Sequence, residues 1–223
     1  MPRITLRKGG NMLIKQMVVG GMGVCCYVVA CEETKEGLII DAGGNEEDIL
    51  AYCARQGLII RYIVGTHGHP DHVCGNARIK AATGAKIVLH AEDAVFFGDP
   101  EVREYFSMLG LPPSPPADQV VRDNDVLTVG TVNLTVLHTP GHTPGGICLY
   151  SAPHLFSGDT LFAGGVGRTD FPGGDTRQLM ESIKQKILTL PPETVVWPGH
   201  GYGGSRSTIA DEARSNPFLT GGW

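Results

Sequence analysis

Apolar residues along this chain gather in short runs, and most runs stop at a glycine or a polar corner. The stretches MLIKQMVVG from Met12, LII before Asp41, RYIVG from Arg61, LTVLHTPG from Leu134, HLFSG from His154 and TVVWPG from Thr194 have the length and β-branched content of strands. Residues 126–129 and 132–138 read as an antiparallel pair. Helical signals fill the intervals. Asn45 followed by Glu46, Glu47 and Asp48 predicts a helix start with acidic residues in its first turn, and Gly57 its stop. Val73–Thr83 reads as a helix closed by Gly84. Asp175 precedes Gln178 as in a capping box, and Leu179, Ile183 and Ile187 then recur at helical spacing until Pro191. Thr208 and Asp211 open a last short helix ahead of Pro217. Strands alternating with helices, together with antiparallel pairs, predict an α+β chain of two packed mixed sheets flanked by helices. LGLPPSPPADQ (109–119) is too rich in proline for either element, and predicts a surface connector between halves, or alternatively a loop facing substrate. Residues 1–11 show no period and predict a loose tail, leaving 12–223 as one domain.

Composition narrows the function. The net charge of −5 and the lack of a basic run exclude attraction to a phosphate backbone, so no nucleic-acid partner is expected. No stretch is apolar over the roughly 18 to 20 residues of a membrane span, and no signal peptide is evident, so a cytoplasmic protein without a membrane partner is expected. The six cysteines, Cys25, Cys26, Cys31, Cys53, Cys74 and Cys148, lack CxxC spacing and read as reduced core residues. Cys74 lies two residues from His72, yet it too reads as core.

The chemistry concentrates at THGHPDH, residues 66–72, which holds three of the eight histidines. Pro70 biases His69 toward extended backbone, where residues i and i+2 face one side, so His67 and His69 can reach one metal ion. Asp71 and His72 turn away as a helix begins and can serve a second ion. Nitrogen and carboxylate donors without thiolate suit zinc, and also iron or manganese, and argue against a closed structural zinc site. Taken singly, Asp71 also reads as a helix cap, and His142 or His200 as a loop histidine. Together with GHTPGG, SGDT and PGH they form a set that chance does not supply. His90, His138 and His154 lack such a setting and read as structural, with His138 close enough in sequence to support a ligand.

Asp41, THGHPDH, PGHTPGG, FSGDTLFAGGVGRTDFPGGD and PGHGYGG, in that order, resemble the metallo-β-lactamase superfamily, and within it the glyoxalase II-like thioester hydrolases and their persulfide dioxygenase relatives. The resemblance covers nearly the whole chain from Met12. It implies an αββα sandwich with two divalent ions, zinc foremost, at one sheet edge. By position, His67, His69 and His142 would hold one ion and Asp71, His72 and His200 the other. Asp159 would bridge them, and Asp41 would orient the ligands. Ala42 departs from the family's usual proline. An activated water between the ions is the expected nucleophile, with Asp71 and Asp159 as the catalytic carboxylates and Arg168 and Tyr202 as substrate contacts. The expected activity is hydrolysis of a small-molecule thioester, because a thiolate, with a thiol pKa of about 8.5, leaves unprotonated where an amine needs an acid. The alternatives are a mononuclear iron persulfide dioxygenase using His67, His142 and Asp159, and a non-catalytic metal-binding module. His69 stands where flavodiiron relatives carry glutamate, which disfavours them.

Overall fold

The structure, a computed structural model, describes residues 11–221. Of the expected N-terminal tail only Asn11 falls among these; residues 1–10 lie outside them. The first sheet is built in chain order from β1 (Met12–Val19), β2 (Val24–Cys31), β3 (Glu36–Ile40), β4 (Ile59–Val64), β5 (Lys86–His90) and β6 (Gln119–Val121). Its first three strands pair antiparallel and the rest parallel, the crossovers carrying helices. The second sheet contains β7 (Val126–Val129), β8 (Val132–His138), β9 (Ile147–Ser151) and β10 (His154–Gly158). A small hairpin, β11 (Leu161–Phe162) with β12 (Gly165–Val166), stands apart, and β13 (Val195–Pro198) and β14 (Ser207–Thr208) complete the second sheet. The predicted pair 126–129 and 132–138 is β7 with β8, in register Val129↔Val132.

Side-chain alternation explains the layering. β2 is apolar and buried at every position because its two faces serve two cores. Cys25, Tyr27, Val29 and Cys31 point between the sheets, against Leu134, Val136, Leu149 and Phe156 of the second sheet. Cys26 and Val28 point the other way, onto Ile49 and Cys53 of α1 (Glu46–Gln56) and Ile79 farther along. The outer face of the second sheet, with Cys148, Leu155 and Val196, is covered by Leu179, Ile183, Ile187 and Ile209. Helix, sheet, sheet, helix is the predicted sandwich. All six cysteines are buried and free, as expected.

Several boundaries differ from expectation. The helix predicted over 73–83 is two: α2 (Pro70–Val73) and α3 (Asn76–Thr83). Gly75 interrupts it because its N–H donates to Ala42 O at 2.8 Å, and a Cβ there would lie 2.5 Å from that oxygen. That contact also ties down the turn after Asp41, where Ala42 stands in place of the proline that the resemblance implies. Between β5 and β6, α4 (Ala91–Phe96) and α5 (Pro100–Ser107) were not anticipated. The 109–119 segment has no helix or strand before β6, as predicted. It is more than a connector, since Leu111, Pro113, Pro115 and Pro116 help line a cavity of about 640 Å³ beneath α4 and α5. α6 (Thr176–Ser182) is capped as predicted, with Gln178 N–H donating to Asp175 Oδ1 at 2.9 Å, but passes into a π-helical turn at Ile183–Ile187. α7 (Ile209–Ser215) starts at the Thr208 cap, and α8 (Pro217–Thr220) adds one turn beyond Pro217. Among the described residues no helix is long and apolar enough to cross a membrane.

Candidate metal centre

The two sheets present their polar strand ends along one shared edge. β3 runs out at Asp41, β4 at the loop carrying His67 and His69, and α2 then carries Asp71 and His72. From the second sheet, the loop after β8 brings His142, the end of β10 brings Asp159, and the end of β13 brings His200. Backbone bonds close the edge: Ile147 N–H donates to Thr66 O at 2.8 Å, and Cys25 N–H to Gly199 O at 2.7 Å. All seven predicted ligands converge there.

Their donor atoms form two groups. His142 Nε2 lies 2.9 Å from His69 Nδ1 and 3.3 Å from His67 Nε2. Beside them His72 Nε2 lies 3.1 Å from His200 Nε2, and Asp71 Oδ2 lies 3.5 Å from His200 Nε2 and 3.7 Å from His72 Nε2. Asp159 stands between the groups, with Oδ2 3.6 Å from His142 Nε2 and 3.7 Å from His200 Nε2, and Oδ1 3.5 Å from His72 Nε2. Ligand atoms at about 2.0 to 2.1 Å around a tetrahedral ion stand about 3.3 Å apart, which matches these separations.

The hydrogen-bond pattern fixes which nitrogen of several rings carries its proton. His142 Nδ1–H donates to Arg168 O at 2.6 Å, leaving Nε2 bare. Asp41, buried and at φ 54°, accepts Thr66 N–H at 2.7 Å and Thr66 Oγ1–H at 2.8 Å, and its Oδ2 lies 3.0 Å from His72 Nδ1. Thr66 Oγ1 spends its only proton on Asp41, so at 3.1 Å it accepts from His67 Nδ1–H. Asp41 thereby orients His67 through Thr66 and sets a negative charge beside His72. The result is several bare, buried lone pairs aimed at one another, which a cation satisfies.

Electrostatics agree. Burial, then the neighbouring imidazoles, holds His67 and His69 well below the usual histidine range. Burial likewise lowers His142, so all three are neutral donors. For His72 burial works the same way, yet Asp159, Asp41 and Asp71 outweigh it and push its pKa up to about 10. Burial raises Asp71, but His72, His200 and His69 outweigh it and hold the carboxyl well below the usual carboxylate range. Three carboxylates thus favour positive charge beside His72, where a divalent ion would supply it. Donor type, spacing and charge all fit a pair of divalent ions.

The predicted substrate residues lie at the cleft outside this cluster, a cavity of about 370 Å³ lined by Asp159, Phe162, Val166, Arg168 and Tyr202. Arg168 is engaged by Asp170, Nε to Oδ1 at 2.6 Å, and lies over the Phe171 ring at 3.9 Å. Tyr202 is 75% exposed and stacks on the His200 ring at 4.8 Å. His138 does not reach the cluster: it stacks on His90 at 3.9 Å, and its Nε2 lies 2.9 Å from Pro144 O. His90 and His138, with Glu92, form a further grouping of possible donors, but His90 Nδ1 already accepts Glu92 N–H at 3.3 Å. His154 accepts from Trp197 Nε1 at 3.2 Å, a structural use. Among the described residues no cysteine joins a possible ligand group. Sequence reasoning missed Thr66 and Asp93. Thr66 adjoins His67 and was readable; Asp93 sits in an ordinary acidic first turn and was not.

A family model described as the metallo-beta-lactamase superfamily matches residues 19–200. The hydroxyacylglutathione hydrolase GloC of Haemophilus influenzae is 36% identical over 192 residues, spanning 84% of this chain and 89% of its own. The crystal structure of the BLEG-1 B3 metallo-beta-lactamase superposes with TM-score 0.85 at 36% identity, covering 94% of this chain and 100% of that one. TTHA1623, solved in a di-iron-bound form, gives TM-score 0.78 at 36% identity, with 92% and 100% coverage.

Proposed function

From the premise that this chain belongs to the metallo-β-lactamase superfamily, we propose that it is a binuclear metallohydrolase acting on small-molecule thioesters. The observation that carries the reading is Asp159, placed between two donor triads with an oxygen toward each. His67, His69 and His142 would hold one divalent ion and Asp71, His72 and His200 the other, with zinc the expected metal and iron or manganese compatible with the same donors. Ions bound there would supply an activated water near neutral pH and polarise the substrate carbonyl.

The chain's own residues do the rest. Thr66, held by Asp41, and the Arg168 carbonyl fix the tautomers of His67 and His142, so these two donors are set before substrate arrives. The cleft leads from solvent to Asp159 past Phe162 and Tyr202. Arg168 and Tyr202, which line that cleft, would contact the thiol carrier. Asp71, held ionised by the imidazoles around it, is a poor proton donor to a leaving group. That favours a thiolate leaving group, which departs without a proton, over an amine. The hydroxyacylglutathione hydrolase similarity supports the same substrate class.

The test is to strip the protein with chelator, reload it separately with zinc or iron, and follow thiol release from lactoylglutathione beside oxygen uptake with glutathione persulfide. Thiol release by zinc-loaded protein without oxygen uptake is expected. Oxygen uptake by iron-loaded protein with no thioester cleavage would replace this reading with the mononuclear dioxygenase, and neither activity in metal-loaded protein would leave a binding module.

A further inference from the structure

Asp93 lies in the first turn of α4 and is fully buried. Its carboxylate meets the metal-centre loops of both sheets. Oδ2 accepts Gly68 N–H at 2.8 Å, and Gly68 is the residue between His67 and His69. The same oxygen accepts Thr143 Oγ1–H at 2.9 Å, and Oδ1 accepts Gly145 N–H at 2.6 Å, both just past His142. The first loop leaves the first sheet and the second joins strands of the second sheet. One side chain therefore ties together the two segments whose ring nitrogens approach to 2.9 and 3.3 Å.

The surroundings are built to let that carboxylate in. A Cβ on Gly145 would stand 2.3 Å from Asp93 N and 2.8 Å from its Cβ, so the backbone approaches as only glycine permits. A Cβ on Gly68 would stand 2.2 Å from the ring of Phe97, whose N–H donates to Asp93 O at 2.9 Å. The three donors are all neutral, and a buried carboxylate without a counter-cation is costly. A neutral residue would serve simple packing better. The distribution of the bonds, one set on each ligand loop, accounts for a charge being kept here.

We propose that Asp93 is a positioning residue for the His67–His69–His142 triad alone, setting the spacing of that triad's nitrogens and hence its metal affinity. The inference rests on the reading that the triad holds an ion. It does not extend to Asp71, His72 and His200: the Asp93 carboxylate bonds Gly68, Thr143 and Gly145, on the loops of the first triad.

The experiment measures zinc affinity, by competition with a chromogenic chelator, in two backgrounds. His200→Ala disables the second group and leaves the triad; His69→Ala does the reverse. Adding Asp93→Asn, which sets an amide N–H against a donor, is expected to weaken zinc about ten- to hundredfold in the His200→Ala protein. In the His69→Ala protein the change should stay under about twofold, since positions with separate partners act independently. Thr143→Val removes a single bond and should show the same selectivity at about three- to tenfold, which keeps the test open if Asp93→Asn fails to fold. Equal losses in the two backgrounds, or no loss in the His200→Ala background, would overturn the proposal and leave the metal reading standing. A wild-type chain that takes up no zinc would overturn both.

Discussion

Replacing Asp41 with asparagine perturbs the site without disturbing the backbone, because asparagine tolerates the left-handed conformation that Asp41 holds at φ 54°. The carboxylate faces three donors, Thr66 N–H at 2.7 Å, Thr66 Oγ1–H at 2.8 Å and His72 Nδ1 at 3.0 Å. An amide offers one oxygen. With its oxygen toward Thr66 Oγ1 and His72, its NH2 opposes Thr66 N–H; turned over, its NH2 faces His72 Nδ1 and drives the proton onto Nε2, the nitrogen that points into the donor cluster. Either arrangement loses at least one charge-assisted hydrogen bond, worth roughly 1.5 to 3 kcal/mol. Zinc affinity should therefore fall by about 10- to 150-fold, at about 1.4 kcal/mol per factor of ten. Thr66→Val, which cuts only the relay to His67, should cost about tenfold. Chelator competition on folded protein, with secondary structure checked by circular dichroism, measures both. An asparagine variant within threefold of wild type would refute the assignment of Asp41 as the residue that fixes the ligands.

Other substitutions probe the remaining roles. Gly199→Ala places a Cβ 2.1 Å from Asp159 Oδ1 and 3.0 Å from His72 Cε1. Displacing Asp159 by about 1 Å should lower kcat/KM about a hundredfold; activity within threefold of wild type would contradict the proposed bridging role. Arg168→Met and Tyr202→Leu should raise KM more than they lower kcat, since contacts away from the reacting bond add binding. Unchanged KM in both would return Arg168 to its ion pair with Asp170 and Tyr202 to packing. Away from the centre, burial, with His138, Arg122 and Lys186 outweighing Asp123, brings the His90 pKa down to about 4. The unfolded chain, titrating near 6.5, binds that proton first, so His90 contributes stability that is full above pH 6.5 and is lost as pH falls toward 4, by at most about 3 kcal/mol. In urea melts at pH 7 and pH 4.5, His90→Asn, which keeps a cap for α4, should lose less than wild type; equal losses would show that His90 is not the group responsible.

The strand ends were legible because each delivers a histidine or aspartate at a glycine-rich corner, and packing of alternate side chains leaves such corners at a sheet edge. The seven donors were found by that logic together with the resemblance. What stayed hidden depended on contacts between distant segments. Gly75 breaks a helix because Ala42 O is there to take its N–H, and nothing local to Val73–Thr83 announces that partner. Asp93 reads as any acidic first-turn residue until the loops of both sheets fold onto it. Arg168 looked significant for its side chain, yet its carbonyl, as acceptor for His142, is what touches the donor cluster. By contrast, α5 was readable, since Asp99 before Pro100 is a cap followed by the favoured first residue, and Asp99 Oδ1 does accept Glu101 N–H at 2.8 Å.

The proposed hydrolysis requires two ions acting together through Asp159. Its most direct test is zinc titration of chelator-stripped protein, with bound metal and thioester hydrolysis measured at each addition. Full activity is expected to return only as the second equivalent per chain is bound. Full activity at one bound equivalent, with no gain from a second, would contradict it.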